Sequence, residues 1–137
     1  MTPNEYQKEA LRTEGPTSDM GKYIIPFARG YSKTSQVIDE MMIITNMNRL
    51  LNGLMGLNGE AGECIDLLKK SLYQGHELDR EHLARELGDV AWYLAVSADA
   101  LGYKLEDILR MNVEKLRARY PDGFEAERSV NRTEEDV

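Results

Sequence analysis

The chain has 137 residues, a single cysteine and a net charge of −7, which suits one domain with its core at about residues 35–121 and a polar tail at 122–137. It has no apolar run near the roughly 18 residues of a membrane span, no apolar leader in its charged N-terminus, and no disulfide partner for Cys64, so we expect a cytoplasmic protein. Its acidic balance and dispersed basic residues also argue against nucleic-acid partners.

The first predicted element is a short helix. Thr2, Pro3 and Glu5 match an N-cap, a proline at the first helical position and a capping-box acid. The helix should run to about Thr13. Residues 14–34 contain glycines, prolines and isolated apolar groups, and we interpret them as a long loop.

Helical periodicity then dominates the chain. It runs from about Ser35 to Gln74, a length that predicts a break near Thr45 to Asn48 in so small a domain. After a turn at Gly75, two further helices are predicted at about 80–101 and 105–120, ended by Gly102 and Pro121. Because no segment alternates with period two, the fold class should be all-α, an antiparallel bundle of about four to five helices.

Two pairs of acids stand out on consecutive helices. Glu60 and Glu63 are one turn apart on the second helix, and Glu86 and Asp89 are one turn apart on the third. Two such pairs facing each other would supply four carboxylates, which suit Mg²⁺. In a chain with 24 acidic residues such pairs also arise by chance as solvated faces, but two pairs beside apolar stripes favour a site.

The apolar stripes predict which faces are buried. Glu60 and Glu63 lie on the flank of the second helix together with Gly53 and Gly56, and Tyr93 shares a flank with Glu86 on the third. The predicted core positions of these two helices are Leu50, Leu54, Leu57, Ala61, Cys64, Leu68 and Leu72, then Leu83, Leu87, Val90, Leu94, Ala98 and Leu101.

The fourth helix carries polar residues on or near its apolar stripe. Asn112 falls in the middle of the stripe, Lys115 is one turn away, and Arg119 lies close to it. A buried amide needs partners, so these residues could face a ligand. Alternatively, Asn112 bonds to a neighbouring helix and Lys115 extends to solvent. The stripe itself consists of Leu105, Ile108, Leu109, Leu116 and Tyr120.

Three segments, GEAGE, ELGDVAWYL and LEDILRMNVEKLRARYPDGF, resemble the MazG-type branch of the all-α nucleoside triphosphate pyrophosphohydrolases. The hallmark of that family is an ExxE motif followed by ExxD. The resemblance extends from about Leu50 to Arg132, and the opening NEYQKEALRT is also similar. Residues 21–46 do not align with the family pattern, and Lys104 stands where a serine-like cap is expected.

The resemblance implies hydrolysis of an NTP or dNTP to the monophosphate and pyrophosphate in a homodimer or homotetramer. The metal would be Mg²⁺, for which Mn²⁺ could substitute, and one acid, for which we choose Glu63, would act as general base. By position, the residues that match metal ligands are Glu60, Glu63, Glu86 and Asp89. Those that match the nucleotide pocket are Tyr93, Asn112, Lys115, Arg119 and either Lys69 or Lys70.

Two other classes of protein share parts of this pattern. A di-iron or di-manganese bundle would need Glu-x-x-His motifs on two helices, whereas the nearest spacing here is Asp79-x-x-His82. A non-catalytic oligomerisation or adaptor module would keep the bundle without needing all four acids. Apolar residues at 41–44, MMII, favour association of chains in either case.

Overall fold

The protein is described by a computed structural model that covers the backbone of residues 1–15 and 34–131 and the side chains of 1–15, 46–128, 130 and 131. Within these residues all regular structure is helical, and the predicted all-α class is confirmed. None of these helices is long and apolar enough to cross a membrane. The described helices are α1 (Pro3–Arg12), α2 (Thr34–Tyr73), α3 (Arg80–Ala100), α4 (Leu105–Arg119) and α5 (Ala126–Val130).

The helix ends follow the predicted signals closely. Glu5 N–H donates to Thr2 Oγ1 at 3.2 Å, and Thr2 N–H donates to the Glu5 carboxylate at 2.7 Å. This reciprocal pair is the predicted capping box. Gly75 and Gly102 follow α2 and α3 with φ of 76° and 78°, a backbone region where glycine is favoured because it has no Cβ.

The predicted break near Thr45 to Asn48 is wrong. The α2 helix continues for 40 residues from Thr34 to Tyr73. Sharp kinks need a cause such as proline, glycine or an inserted side chain, and residues 45–48 contain neither proline nor glycine. The length of the helical segment was therefore not a sufficient reason to predict a break. The loop predicted for residues 14–34 and the MMII side chains at 41–44 lie mostly or wholly outside the described part of the chain.

The α2 and α3 helices pack antiparallel through a face of small residues. The Gly53 backbone lies against Ser97, and that of Gly56 lies against the ring of Tyr93. Further along α2, a carboxylate oxygen of Glu60 lies within 4.8 Å of one from Glu86 on α3. The flank that carries the glycines and acids is therefore an inter-helix surface.

Several predicted core positions are exposed in the single chain, so those predictions are wrong for it. Apolar residues along one face of a helix do not specify which neighbour covers that face. Here α3 packs against the flank of α2 that carries Gly53 and Gly56 instead. The α2 residues concerned are Leu54, Leu68 and Leu72, those on α3 are Leu87 and Leu101, and those on α4 are Leu109 and Leu116.

The N-terminal helix α1 is part of the core, although the predicted core began at about residue 35. Ala10 packs with Ala95 and Leu105. Trp92 on α3 donates from Nε1 to the Ala10 carbonyl at 3.1 Å and to Thr13 Oγ1 at 2.8 Å. These contacts fix α1 across α3 and the start of α4.

Side chains of α1 cap the N-terminus of α4. Lys104 makes no side-chain capping bond, in line with its departure from the expected serine-like cap. Instead Leu105 N–H donates to Gln7 Oε1 at 3.0 Å and Glu106 N–H donates to Asn4 Oδ1 at 3.1 Å. Two of the four backbone donors that a helix start leaves unpaired are thereby satisfied.

A second connection joins α2 and α3 to the end of α1. Arg49 contacts Glu14 through Nε at 2.8 Å and Nη2 at 2.7 Å, and its Nη2 also lies 2.7 Å from Asp99. The hydrogen bond to Glu14 is the largest of the effects that raise the pKa of Arg49. The paired guanidinium fork holds the residues after α1 against the bundle.

The α1 and α3 helices cover α4 near its start. Leu105 is buried, whereas Asn112 is exposed, so the prediction that Asn112 lies in a buried stripe is wrong. The reason is geometric, because α1 and α3 pack against the beginning of α4 and its later turns extend beyond them. In the predicted polar tail, residues Ala126–Val130 form the short helix α5.

The glycine contact between α2 and α3 gives a stability prediction. Replacing Gly56 by alanine puts a Cβ into the ring of Tyr93, and such overpacking should lower the free energy of unfolding by roughly 1–3 kcal/mol. Gly88→Ala is the control, since its Cβ meets nothing within 4 Å and should stabilise the helix by about 0.5–1 kcal/mol. Urea denaturation of both variants measures the difference, and equal effects would contradict the close packing.

Candidate metal and nucleotide site

Three of the four predicted acids converge. Glu60 and Glu63 from α2 and Glu86 from α3 each offer a carboxylate oxygen, and these oxygens all lie within 4.8 Å of one another. Glu86 is buried, Glu60 is half-buried and Glu63 is exposed. The cluster thus extends from the buried interface between α2 and α3, at Glu86, to the solvent-exposed Glu63.

Asp89 lies beside this cluster of three and is exposed. Its charge acts on two neighbours: it contributes to the raised pKa of Glu60 and, after burial, to the raised pKa of Tyr6. Tyr6 OH donates to the Gly88 carbonyl at 3.2 Å, next to Asp89 in the chain. Asp89 is therefore close enough to affect the pKa of Glu60, although it is not one of the three acids whose oxygens lie within 4.8 Å of one another.

The surroundings of Glu60 disfavour its ionisation. Desolvation raises the pKa of Glu60 above its ordinary value, and the charges of Glu63, Asp89 and Glu86 raise it further. Like charges that share a site oppose ionisation of one another. A proton or a cation among these oxygens would relieve that repulsion.

The donor set fits a hard divalent cation. The three converging ligands are all carboxylate oxygens, which Mg²⁺ prefers while it retains waters and accepts phosphate oxygens. The exposure of Glu63 leaves one side of the cluster accessible. Residues Glu60, Glu63 and Glu86, with Asp89 nearby, are those that could hold the ion.

A cavity of about 310 Å³ adjoins the cluster and shares Glu63 with it. Lys70 lines this cavity, which favours Lys70 over Lys69 as the basic residue left open by the sequence. The pKa of Asp66 is lowered to about 2 by hydrogen bonds with Lys69 first and Lys70 second. The lining residues are Gly59, Gly62, Glu63, Asp66, Leu67, Lys70 and His82.

Sequence reasoning assigned no role to Asp66 or His82. His82 Nε2 lies 2.8 Å from Glu86 Oε1, and Lys70 lies 2.6 Å from Asp66. A signal existed for both residues, because His82 is one turn before Glu86 and Asp66 is one turn after Glu63 on the same helix faces.

The predicted nucleotide-binding residues are more dispersed. Tyr93 is half-buried against Gly56, with its ring edge-on to Trp92 at a centroid distance of 4.8 Å. On α4, Asn112 and Lys115 are exposed, and Arg119 has a buried Nε without a partner in the described residues. The lining of the cavity beside the acids includes none of these four residues.

Comparison with known proteins identifies the family. The model of the MazG nucleotide pyrophosphohydrolase domain matches residues 49–124, which contain all four acids, the cavity and α4. The chain belongs to the MazG family. The suspected resemblance is therefore confirmed. The α1 helix lies outside the matched stretch, whereas its contact partners Trp92, Ala95 and Leu105 lie within it.

One curated relative of this MazG-family chain is the Gene 37 protein of Mycobacterium phage L5. It is 40% identical over 73 residues, which represent 50% of this chain and 64% of that relative. The chain thus spans less than two thirds of the relative's length. No solved structure matches the chain.

The repulsion within the cluster predicts a pH-dependent stability. The fold raises the pKa of Glu60 above 4.5, so the folded chain binds this proton more tightly and loses stability as pH rises through the raised pKa. In metal-free buffer Glu60→Gln should therefore have a higher Tm than the wild type at pH 7. The advantage should shrink as pH falls towards 4.5.

Thermal melts with chelator across this pH range measure the effect. Glu77→Gln is the matched control, because it removes a charge from the exposed turn between α2 and α3. A Tm difference for Glu60→Gln that did not change with pH, or that the control reproduced, would contradict the repulsion.

Proposed function

We propose that the chain is a Mg²⁺-dependent nucleoside triphosphate pyrophosphohydrolase that converts an NTP or dNTP to its monophosphate and pyrophosphate. The observation that carries this proposal is the convergence of Glu60, Glu63 and Glu86 from two helices beside a cavity with a lysine. Membership of the MazG family supports the same reaction class.

The residues suggest a division of labour. Glu60, Glu86 and Asp89 would hold the ion, and Mg²⁺ when bound would neutralise phosphate charge and polarise the phosphate oxygens. Glu63 is the most exposed of the three converging acids and faces the cavity. It would accept a proton from the attacking water as general base.

The atoms balance in a single displacement. The water oxygen forms a bond to the α-phosphorus, the bond between that phosphorus and the α,β-bridging oxygen breaks, and pyrophosphate leaves with the electron pair. The proton released by the water goes to Glu63. Lys70, which already lines the cavity, would offset charge on the phosphates.

The other predicted site residues would contact the nucleotide directly. Tyr93 would contact the sugar or base, because it shares a helix flank with Glu86 and Asp89. We retain Asn112, Lys115, Arg119 and Lys69 as candidates for phosphate contacts on the family pattern alone.

A non-catalytic adaptor is the second candidate, but it explains less. It accounts for the exposed apolar side chains of α2. It gives no reason to bury Glu86 beside two other carboxylates, an arrangement that raises the pKa of Glu60 and costs stability at neutral pH.

We further propose that the chain associates with a second copy of itself through α2. An exposed apolar stripe on this helix follows steps of four and three residues, the spacing of a helix seam, except between Leu54 and Ile65, where Asn58 and Ala61 occupy the intervening positions. Its members are Met47, Leu51, Leu54, Ile65, Leu68 and Leu72. Homodimers, or homotetramers built from them, would cover this stripe.

The decisive experiment is a substrate screen. Purified protein with Mg²⁺ should convert at least one of the common NTPs or dNTPs to equal amounts of monophosphate and pyrophosphate. Chelator should stop the reaction, and Mn²⁺ should restore it. Release of orthophosphate instead of pyrophosphate, or no turnover of any nucleotide, would refute the proposed reaction.

A kinetic contrast separates chemistry from binding. Glu63→Gln should lower kcat strongly with little change in KM, because it removes a group needed in the transition state. Tyr93→Ala should mainly raise KM, since it removes an interaction made in both ground and transition states. The rise should correspond to about 1–3 kcal/mol if stacking dominates.

Steady-state kinetics on the best substrate measure both effects. Tyr93→Phe is the matched control, because it keeps the ring against Gly56 and should stay near the wild-type KM. If Tyr93→Ala kept the wild-type KM and base preference, the ring would serve only helix packing.

The association proposal has its own test. Light scattering at micromolar concentration should give at least the mass of a dimer for the wild type. Leu54→Glu should shift the mass towards the monomer, since it places a charge within the apolar stripe. Asn52→Glu adds the same charge at an exposed position outside the stripe and should leave the mass unchanged. A monomeric wild type would contradict the proposal.

A further inference from the structure

The cavity beside the acids contains an imidazole that the reaction described above does not use. His82 lines the cavity, and its Nε2 lies 2.8 Å from Oε1 of Glu86. His82 is half-exposed and Glu86 is nearly buried, with side-chain exposures of 48% and 12%. The imidazole therefore joins the most deeply placed carboxylate of the cluster to the cavity.

The position of His82 is fixed by the start of α3. Asp79 caps this helix, and its carboxylate accepts a hydrogen bond from His82 N–H at 2.9 Å. His82 then falls one turn before Glu86, where residues four apart are neighbours on a helix surface. The backbone of His82 is therefore fixed by the helix one turn from Glu86.

We infer that His82 is a positioning residue, which donates a hydrogen bond from Nε2 to Oε1 of Glu86 and so holds this carboxylate in the orientation that a divalent cation requires. This inference rests on the proposed function. Mg²⁺ prefers oxygen ligands, so the imidazole acts through Glu86 rather than on the ion.

The physical reason is the orientation of the ligand. A carboxylate loses rotational freedom when it binds a cation, and this loss has an entropic cost. A donor that already fixes one of its oxygens reduces the cost that remains when the cation binds. The contact also places a ring nitrogen 2.8 Å from one oxygen of a carboxylate that is largely shielded from water. Loss of such a partner typically weakens metal binding on the order of 10- to 100-fold.

Two substitutions at the same site distinguish a donor from mere bulk. The amide nitrogen of glutamine can occupy nearly the place of the histidine Nε2, whereas the amide of asparagine reaches only as far as Nδ1. His82→Gln should therefore keep Mg²⁺ affinity close to the wild type, and His82→Asn should weaken it on the order of 10- to 100-fold. Glu81→Ala, on the same turn and exposed, is the control.

Calorimetric titration of each protein with Mg²⁺ alone, without nucleotide, measures the dissociation constants, and metal-free melts confirm that each variant folds. Wild-type affinity in His82→Asn, or equal weakening in His82→Gln and His82→Asn, would overturn the donor role. Such a result for His82 would not contradict the proposed function, provided that the wild type binds Mg²⁺ and Glu86→Gln does not. If the wild type failed to bind Mg²⁺, both proposals would fall.

A second measurement does not depend on metal. The chain has two histidines, His76 and His82, so long-range proton–nitrogen NMR spectra can be assigned with a single His76→Gln variant. In metal-free wild type the neutral ring of His82 should carry its proton on Nε2, and Glu86→Ala should weaken that preference. A neutral ring protonated on Nδ1 in the wild type would overturn the inference.

Discussion

The close approach of α2 and α3 is the constraint on which the site depends. Gly53 and Gly56 leave no side chain where Ser97 and Tyr93 of the other helix lie. A bulky residue there would push the helices apart, and Glu60 would move away from Glu86. The glycines cost helix propensity, roughly 1 kcal/mol each relative to alanine, and in return they permit the contact that brings the carboxylates together.

The same interface imposes an electrostatic cost. Burial and neighbouring charges raise the pKa of Glu60, so the ionised Glu60 of the metal-free chain lowers stability at neutral pH. A cation would remove this cost by mass action on the folded state. The arrangement thus lowers stability while it gathers three carboxylates at one place, a pattern that is typical of functional sites.

The N-terminal helix supports the interface from outside the family-matched stretch. Gln7 donates to the carbonyls of Ala95 and Tyr103 and accepts from Leu105 N–H, so one buried amide joins α1 to α3 and α4. Since Lys104 cannot cap its helix, these bonds also fix where α4 begins. The bundle therefore relies on α1 for the alignment of helices that carry the site.

Local signals were enough to predict the four longer helices, most of their ends, the family and the acidic pairs, because capping residues, helical spacing and the ExxE and ExxD motifs can each be identified within a short segment. Which faces of the helices meet depends on the packed structure, since apolar spacing cannot distinguish a face that packs within the chain from one left exposed. The tertiary structure therefore exposed Leu54 and Asn112, kept α2 continuous through Thr45, and placed Lys70 and His82 beside the acids. These outcomes depend on inter-helix distances, which no local pattern encodes.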